Sequence, residues 1–104
     1  MLLTHPAGAG GTRLEPYDYE EGTITGAVSA LDQTKISGAA AVLVVFENGP
    51  SRVRVDGGTP SASVGLERGH LQEDPLSVGE AQKLRMTRLG ATNGNYRATY
   101  YRVA

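Results

Sequence analysis

Few residues of this chain have side chains suited to chemistry, and their spacing argues against most of it. There are two histidines, His5 and His70, and no cysteine. A Ser-His-Asp arrangement would have to rest on His70, yet no G-x-S-x-G elbow and no H-E-x-x-H motif accompanies it. A transition-metal centre needs several imidazole, thiolate or carboxylate ligands brought together, and this chain does not show such a set. The lack of cysteine also removes disulfides, thiolate sites and cysteine nucleophiles. We expect no catalytic residue, no metal and no cofactor.

Three further stretches invite a functional reading. In "GAGG", residues 8–11, the glycines suggest a phosphate loop, but the G-x-G-x-x-G spacing, the preceding strand and the P-loop Lys-Ser/Thr are all missing. The loop Asp56-Gly57-Gly58-Thr59-Pro60 could offer a carboxylate and open amides to a cation. Calcium needs several oxygen ligands, and no second acid follows at the required spacing. Gly57 and Gly58 read instead as residues permitting positive φ at a strand end, with Pro60 restarting an extended chain: a structural corner. In "YRATYYR", residues 96–102, tyrosine alternates with arginine, as in platforms for single-stranded nucleic acid. Tyr100 and Tyr101 must face opposite ways on a strand, and the net charge of −1 disfavours phosphate binding. Sugar binding on tyrosine faces has similar weight, since tryptophan is absent.

The elements that must carry these residues read as β. "AAAVLVVFE", residues 39–47, is a continuous apolar run dense in valine and ended by Asn48-Gly49-Pro50, which favours a buried strand. "SRVRVD" then alternates Val53 and Val55 against Arg52 and Arg54. The two runs predict a hairpin, although Pro50 opposes a two-residue type I′ turn. "ASVGL" and "PLSVG" are brief strands. "QKLRMTRL" alternates Leu84 and Met86 against Lys83, Arg85 and Thr87, and with "YRATYYRV" beyond the Asn93-Gly94 turn it predicts a second hairpin. A helical reading of "LSVGEAQKLRM" is set aside because Gly79 interrupts it. Six to eight short strands with regular punctuation predict an all-β fold, a compact antiparallel sandwich or barrel. A chain of 104 residues buries one modest core, and with one Phe and no Trp that core is thin, so help from partner subunits is expected.

Charge is unevenly spread. Glu15, Asp18, Glu20 and Glu21 lie close together near the start, whereas Lys83, Arg85, Arg88, Arg97 and Arg102 end the chain with no acid among them. Such ends can attract each other or the opposite end of a neighbouring copy. Residues 1–22 combine this acidity with Gly and Pro and with the apolar anchors Leu2, Leu3, Leu14, Tyr17 and Tyr19. They predict a flexible arm that orders on a partner surface, set before a β domain at 23–104. Arg85, Arg88, Arg97 and Arg102 form the expected basic partner-binding face. The opening Met-Leu-Leu-Thr-His-Pro lacks a basic n-region and a long apolar run, and residues 39–46 are too few to span a bilayer as a helix. A soluble protein made in the cytoplasm is expected, without membrane contact.

From Val42 onward the chain resembles small β-rich virion proteins of tailed bacteriophages. The carrying residues are "VLVVFENGPSRVRVDGGTPSASVG", then "LRMTRL" and "YRATYYRV", with Arg52, Arg54, Asp56, Gly57, Pro60, Ser61 and Gly65 matching position by position. The segment after Gly65 departs from the pattern, which calls for a cleaner apolar strand. The resemblance implies a non-enzymatic structural component of the virion, above all a capsid decoration (cement) protein. Its partners would be the major capsid protein or other virion subunits, with self-association, as a trimer for instance, and no role for nucleic acid. The alternative is a tail-associated or glycan-binding module displayed on the virion.

Overall fold

The structure is a computed structural model that describes residues 13–104. Seven strands form two antiparallel sheets, an all-β sandwich. They are β1 (Leu14–Ile24), β2 (Ala41–Asn48), β3 (Ser51–Arg54), β4 (Leu66–Arg68), β5 (Glu73–Ser77), β6 (Arg85–Arg88) and β7 (Gly94–Val103). One sheet has the order β1-β7-β2-β5 and the other β4-β3-β6. Two short helices, α1 (Gln33–Ile36) and α2 (Val78–Lys83), bury Ile36 and Ala81. The core is built by period-2 alternation: Val42, Val44 and Phe46 from β2 and Tyr96, Ala98 and Tyr100 from β7 meet Val53 and Met86 of the second sheet.

Neither predicted hairpin forms. The central strand β2 is paired along one edge by β7 and along the other by β5, so β3 has no edge to join. β7 is likewise held between β1 and β2, which excludes β6. Each turn is therefore a corner at which the chain leaves one sheet for the other. Asn48, at φ 65, and Pro50 make the first corner. The two corners lie against each other, with the Gly49 N–H donating to the Asn93 carbonyl (3.3 Å) and the Leu89 N–H to that of Pro50 (2.9 Å). A Cβ on Gly94 would stand 2.5 Å from the Gly49 carbonyl oxygen, so this crossing needs glycine.

The arm reading is corrected for residues 14–22. They belong to β1, the longest strand, which pairs with β7 from Leu14↔Val103 to Ile24↔Gly94. A bulge at Tyr17 adjusts the register between Pro16 and Asp18. The acidity that suggested a solvated tail is cross-strand complementarity, since Glu15 stands opposite Arg102 and Glu21 opposite Arg97. Leu2 and Leu3 lie outside the described residues.

Residues 78–83 are helical, contrary to the strand-only reading of that stretch. Ser77 Oγ accepts from the Glu80 amide (3.2 Å), and the Glu80 carboxylate accepts from the Ser77 amide (2.9 Å). This reciprocal capping outweighs the cost of about 1 kcal/mol for glycine at position 79.

Candidate functional site

The β1–β7 seam presents different chemistry on its two faces. On the core side, Asp18, Glu20, Gly22 and Ile24 of β1 stand opposite Tyr100, Ala98, Tyr96 and Gly94. Glu20 accepts hydrogen bonds from the Tyr96 hydroxyl (2.8 Å), from the Tyr100 hydroxyl and from the Asp32 amide (3.1 Å). Both phenols are almost completely buried. Desolvation, reinforced by the Glu20 carboxylate, holds their ionisation well above the usual tyrosine range. The Tyr96 ring crosses directly over Gly22, where a Cβ would come within 2.6 Å of it. Beside this clamp Asp18 pairs with Lys35 at 3.1 Å, and the Tyr17 hydroxyl donates to the Lys35 carbonyl (2.8 Å). The Tyr19 amide and Lys35 hold the Asp18 carboxyl below its ordinary range. The cluster is a closed polar tie between β1, β7 and α1.

On the outer side the same strands form a trough. Arg97 donates through Nε to Glu47 (2.7 Å) and through Nη1 to Glu21 (3.0 Å) and the Tyr19 hydroxyl (2.8 Å). Asn48 Nδ2 donates to Asn95 Oδ1. Glu21, Thr23, Glu47, Asn48, Asn95 and Arg97 line a recess of about 400 Å³. At its rim Tyr19 remains 44% exposed.

The three-stranded sheet ends in the corner that carries the Arg-x-Arg-x-Asp-Gly pattern. Arg54 makes a two-pronged pair with Asp56, Nε to Oδ1 at 2.9 Å and Nη2 to Oδ2 at 2.6 Å, while the Gly58 amide donates to Asp56 (3.0 Å). Arg54, then the Gly58 amide, hold the Asp56 carboxyl down at about 2. Arg52 Nη1 donates to the Gly65 carbonyl (3.1 Å). Gly57 has φ 84 and Gly65 φ 122, conformations costly for other residues. Pro60 is buried. Each arginine of the pattern thus fastens its own loop. Next to this corner β4 pairs with β3 only from Ser51 to Val53, and an open groove of about 290 Å³ follows, lined by Val53, Val55 and Leu66 with Arg54, Asp56 and Gly65. Leu66 is 55% exposed there, and Val64, just before the groove's Gly65, is 45% exposed.

The residues expected to meet a partner are dispersed. Of the apolar anchors, Leu14 and Tyr17 are half-buried in β1 and Tyr19 is tied to Arg97. The expected basic face is divided between the sheets: Arg97 and Arg102 lie on β7, Arg85 and Arg88 on β6. Arg102 pairs with Glu15 (2.9 Å), Arg85 Nη1 donates to the Gln82 and Leu84 carbonyls, and Arg88 donates to Asn93 (2.8 Å). Tyr96, Tyr100 and Tyr101 are all buried, so the Tyr-Arg stretch offers no stacking platform. His70 Nδ1 accepts from the Asn48 amide (3.0 Å), serving the first corner. Among the described residues no group of three or more His, Cys, Asp or Glu is poised to hold a metal, and no helix is long and apolar enough to cross a membrane.

No family model, curated protein or solved structure matches the chain.

Sequence reasoning missed the Glu20 clamp and the trough. The signal was present in "DYEEGTI", where Asp18, Glu20, Gly22 and Ile24 share one parity and Tyr19, Glu21 and Thr23 the other. A carboxylate in step with Ile24 is a core-side carboxylate, and buried carboxylates require donors.

Proposed function

We propose that this chain is a non-enzymatic structural protein of a tailed-bacteriophage virion, a capsid decoration (cement) protein that bridges neighbouring coat subunits. The virion context rests on the sequence resemblance of residues 42–104. The observation that carries an assembly role is the open apolar groove beside β3. A three-residue edge strand leaves Leu66, and Val64 just before it, exposed beside Val55, which packs only partly against the core. Exposed apolar surface of this kind marks a contact surface, and a strand edge left unpaired beyond Val53 invites an added extended segment. The partner is then an extended segment of the major capsid protein or of another virion subunit. The seam charges support self-association less, because Glu15–Arg102 and Glu21–Arg97 pair within one chain.

The test uses phage particles lacking this protein. Added wild-type chain should bind in saturable fashion and raise the temperature at which the particles disrupt. Leu66→Asp should lose that binding while its own melting temperature stays close to wild type. Undiminished binding by Leu66→Asp would sink the groove as the contact surface, and absence of wild-type binding would sink the cement role itself.

A further inference from the structure

We propose that the trough on the outer face of the four-stranded sheet binds a neutral saccharide. The inference rests on geometry separate from the apolar groove, so it stands or falls independently of the capsid role.

The internal network of the trough leaves hydrogen-bonding groups over. Arg97 is fixed by three acceptors, Glu47, Glu21 and the Tyr19 hydroxyl, on strands either side of its own. Asn48 and Asn95 fix one another. Among the described residues, Arg97 Nη2 and Asn95 Nδ2 remain as donors without protein partners, and Glu47 Oε2, Asn48 Oδ1 and the Thr23 hydroxyl remain as acceptors. Donors and acceptors thus alternate over three adjacent strands. A sugar ring presents the matching pattern, because each hydroxyl both donates and accepts. Since the trough groups are already held in place by one another, a ligand need not supply the entropy of ordering them.

Charge and polarity exclude other classes of ligand. Two carboxylates and one guanidinium leave one net negative charge in the lining. Phosphate, sulfate and acidic sugars are therefore repelled, and nucleic acid with them. The same carboxylates are bonded to Arg97 and, among the described residues, have no third acid beside them, which leaves a divalent cation short of ligands. An apolar ligand would strip water from the charged groups without replacing their hydrogen bonds. A neutral polyhydroxylated ligand meets every condition, and a recess of about 400 Å³ gives it room. At the rim, the exposed ring of Tyr19 is pinned through its hydroxyl to Arg97 and Glu21, so it can stack against the apolar face of a sugar at little entropic cost.

The test is an amide NMR titration of the isotopically labelled full chain with galactose, glucose, mannose, N-acetylglucosamine and their disaccharides. Phosphate and sialic acid form the charged arms. At least one neutral sugar should give saturable shifts centred on Thr23, Glu47, Asn95 and Arg97. Asn95→Ala should weaken its binding about tenfold or more. Thr23→Val, at an exposed strand position that keeps the side-chain shape, should weaken it more modestly and serves if Asn95→Ala disturbs the fold. Absence of saturable shifts with every neutral sugar, shifts centred elsewhere, tighter binding of phosphate or sialic acid, or unchanged affinity in both variants would each overturn the proposal.

Discussion

The trough on the larger sheet and the groove at the edge of the smaller one are both surface recesses, yet the chain finishes them in opposite ways. At the trough, charged and hydroxyl groups from three strands are bonded to one another, over a β1–β7 ladder that runs from residue 14 to residue 103. At the groove, a strand of three residues stops and leaves leucine and valine in water. The first surface has its framework of bonds made within the isolated chain and leaves only exposed polar donors and acceptors over. The second becomes complete only when another apolar surface covers it. What separates the two surfaces is the kind of interaction that remains unmade once the chain has folded, polar at the trough and apolar at the groove.

Four perturbations test this contrast. Deleting residues 1–21 should have the largest effect. It removes most of β1, strips the Glu20 acceptor from two buried phenols and exposes one edge of β7. The truncated chain should lose its cooperative thermal transition by circular dichroism. A truncation that melted like wild type would mean that β1 is dispensable and that the seam does not hold the fold together. Next in size is Gly22→Val, which forces a side chain into the Tyr96 ring and should destabilise by about 2 kcal/mol in urea unfolding. Leu66→Asp, at the half-exposed groove, should stay within about 0.5 kcal/mol of wild type. Equal losses at the two sites would erase the distinction between them.

The mildest perturbation is pH. Tyr96 and Tyr100 ionise in the folded chain only far above the unfolded value of about 10, because they are desolvated and face Glu20. Above pH 10 the unfolded chain therefore binds fewer protons than the folded one, and stability must fall as pH rises. Their contribution is fully present below about pH 10 and is lost progressively above it. Phenolate absorbance should show these two tyrosines titrating together with unfolding. Ionisation of all five tyrosines in a still-folded chain would show that the clamp is open to water.

Much of the fold was legible because period-2 alternation is local. Val53 against Arg52, or Met86 against Arg85, announces a strand and its buried face without reference to anything distant. Sheet membership is not local. Asn48-Gly49-Pro50 has the composition of a hairpin turn, and only the occupation of both edges of β2 by β5 and β7 turns it into a corner. β1 was illegible for a related reason. Its acids lower its strand propensity when taken alone, and the arginines that make them favourable arrive some eighty residues later. At the candidate sites, the Arg-x-Arg-x-Asp-Gly corner could be read as structural from its glycines. The trough could not, because Glu21, Glu47 and Arg97 become neighbours only through that long-range register.

The pairing of β1 with β7 also sets a timetable. A chain emerging from the ribosome offers its first strand long before the last one exists, and contacts of such sequence separation are the slowest to form. Until residues 94–103 are free of the exit tunnel, β2 lacks one of its two neighbours and β1 has none. Products cut short by even a few codons in that region should remain unfolded and be open to proteolysis. Full-length chains alone would then reach the pool from which any larger structure is built.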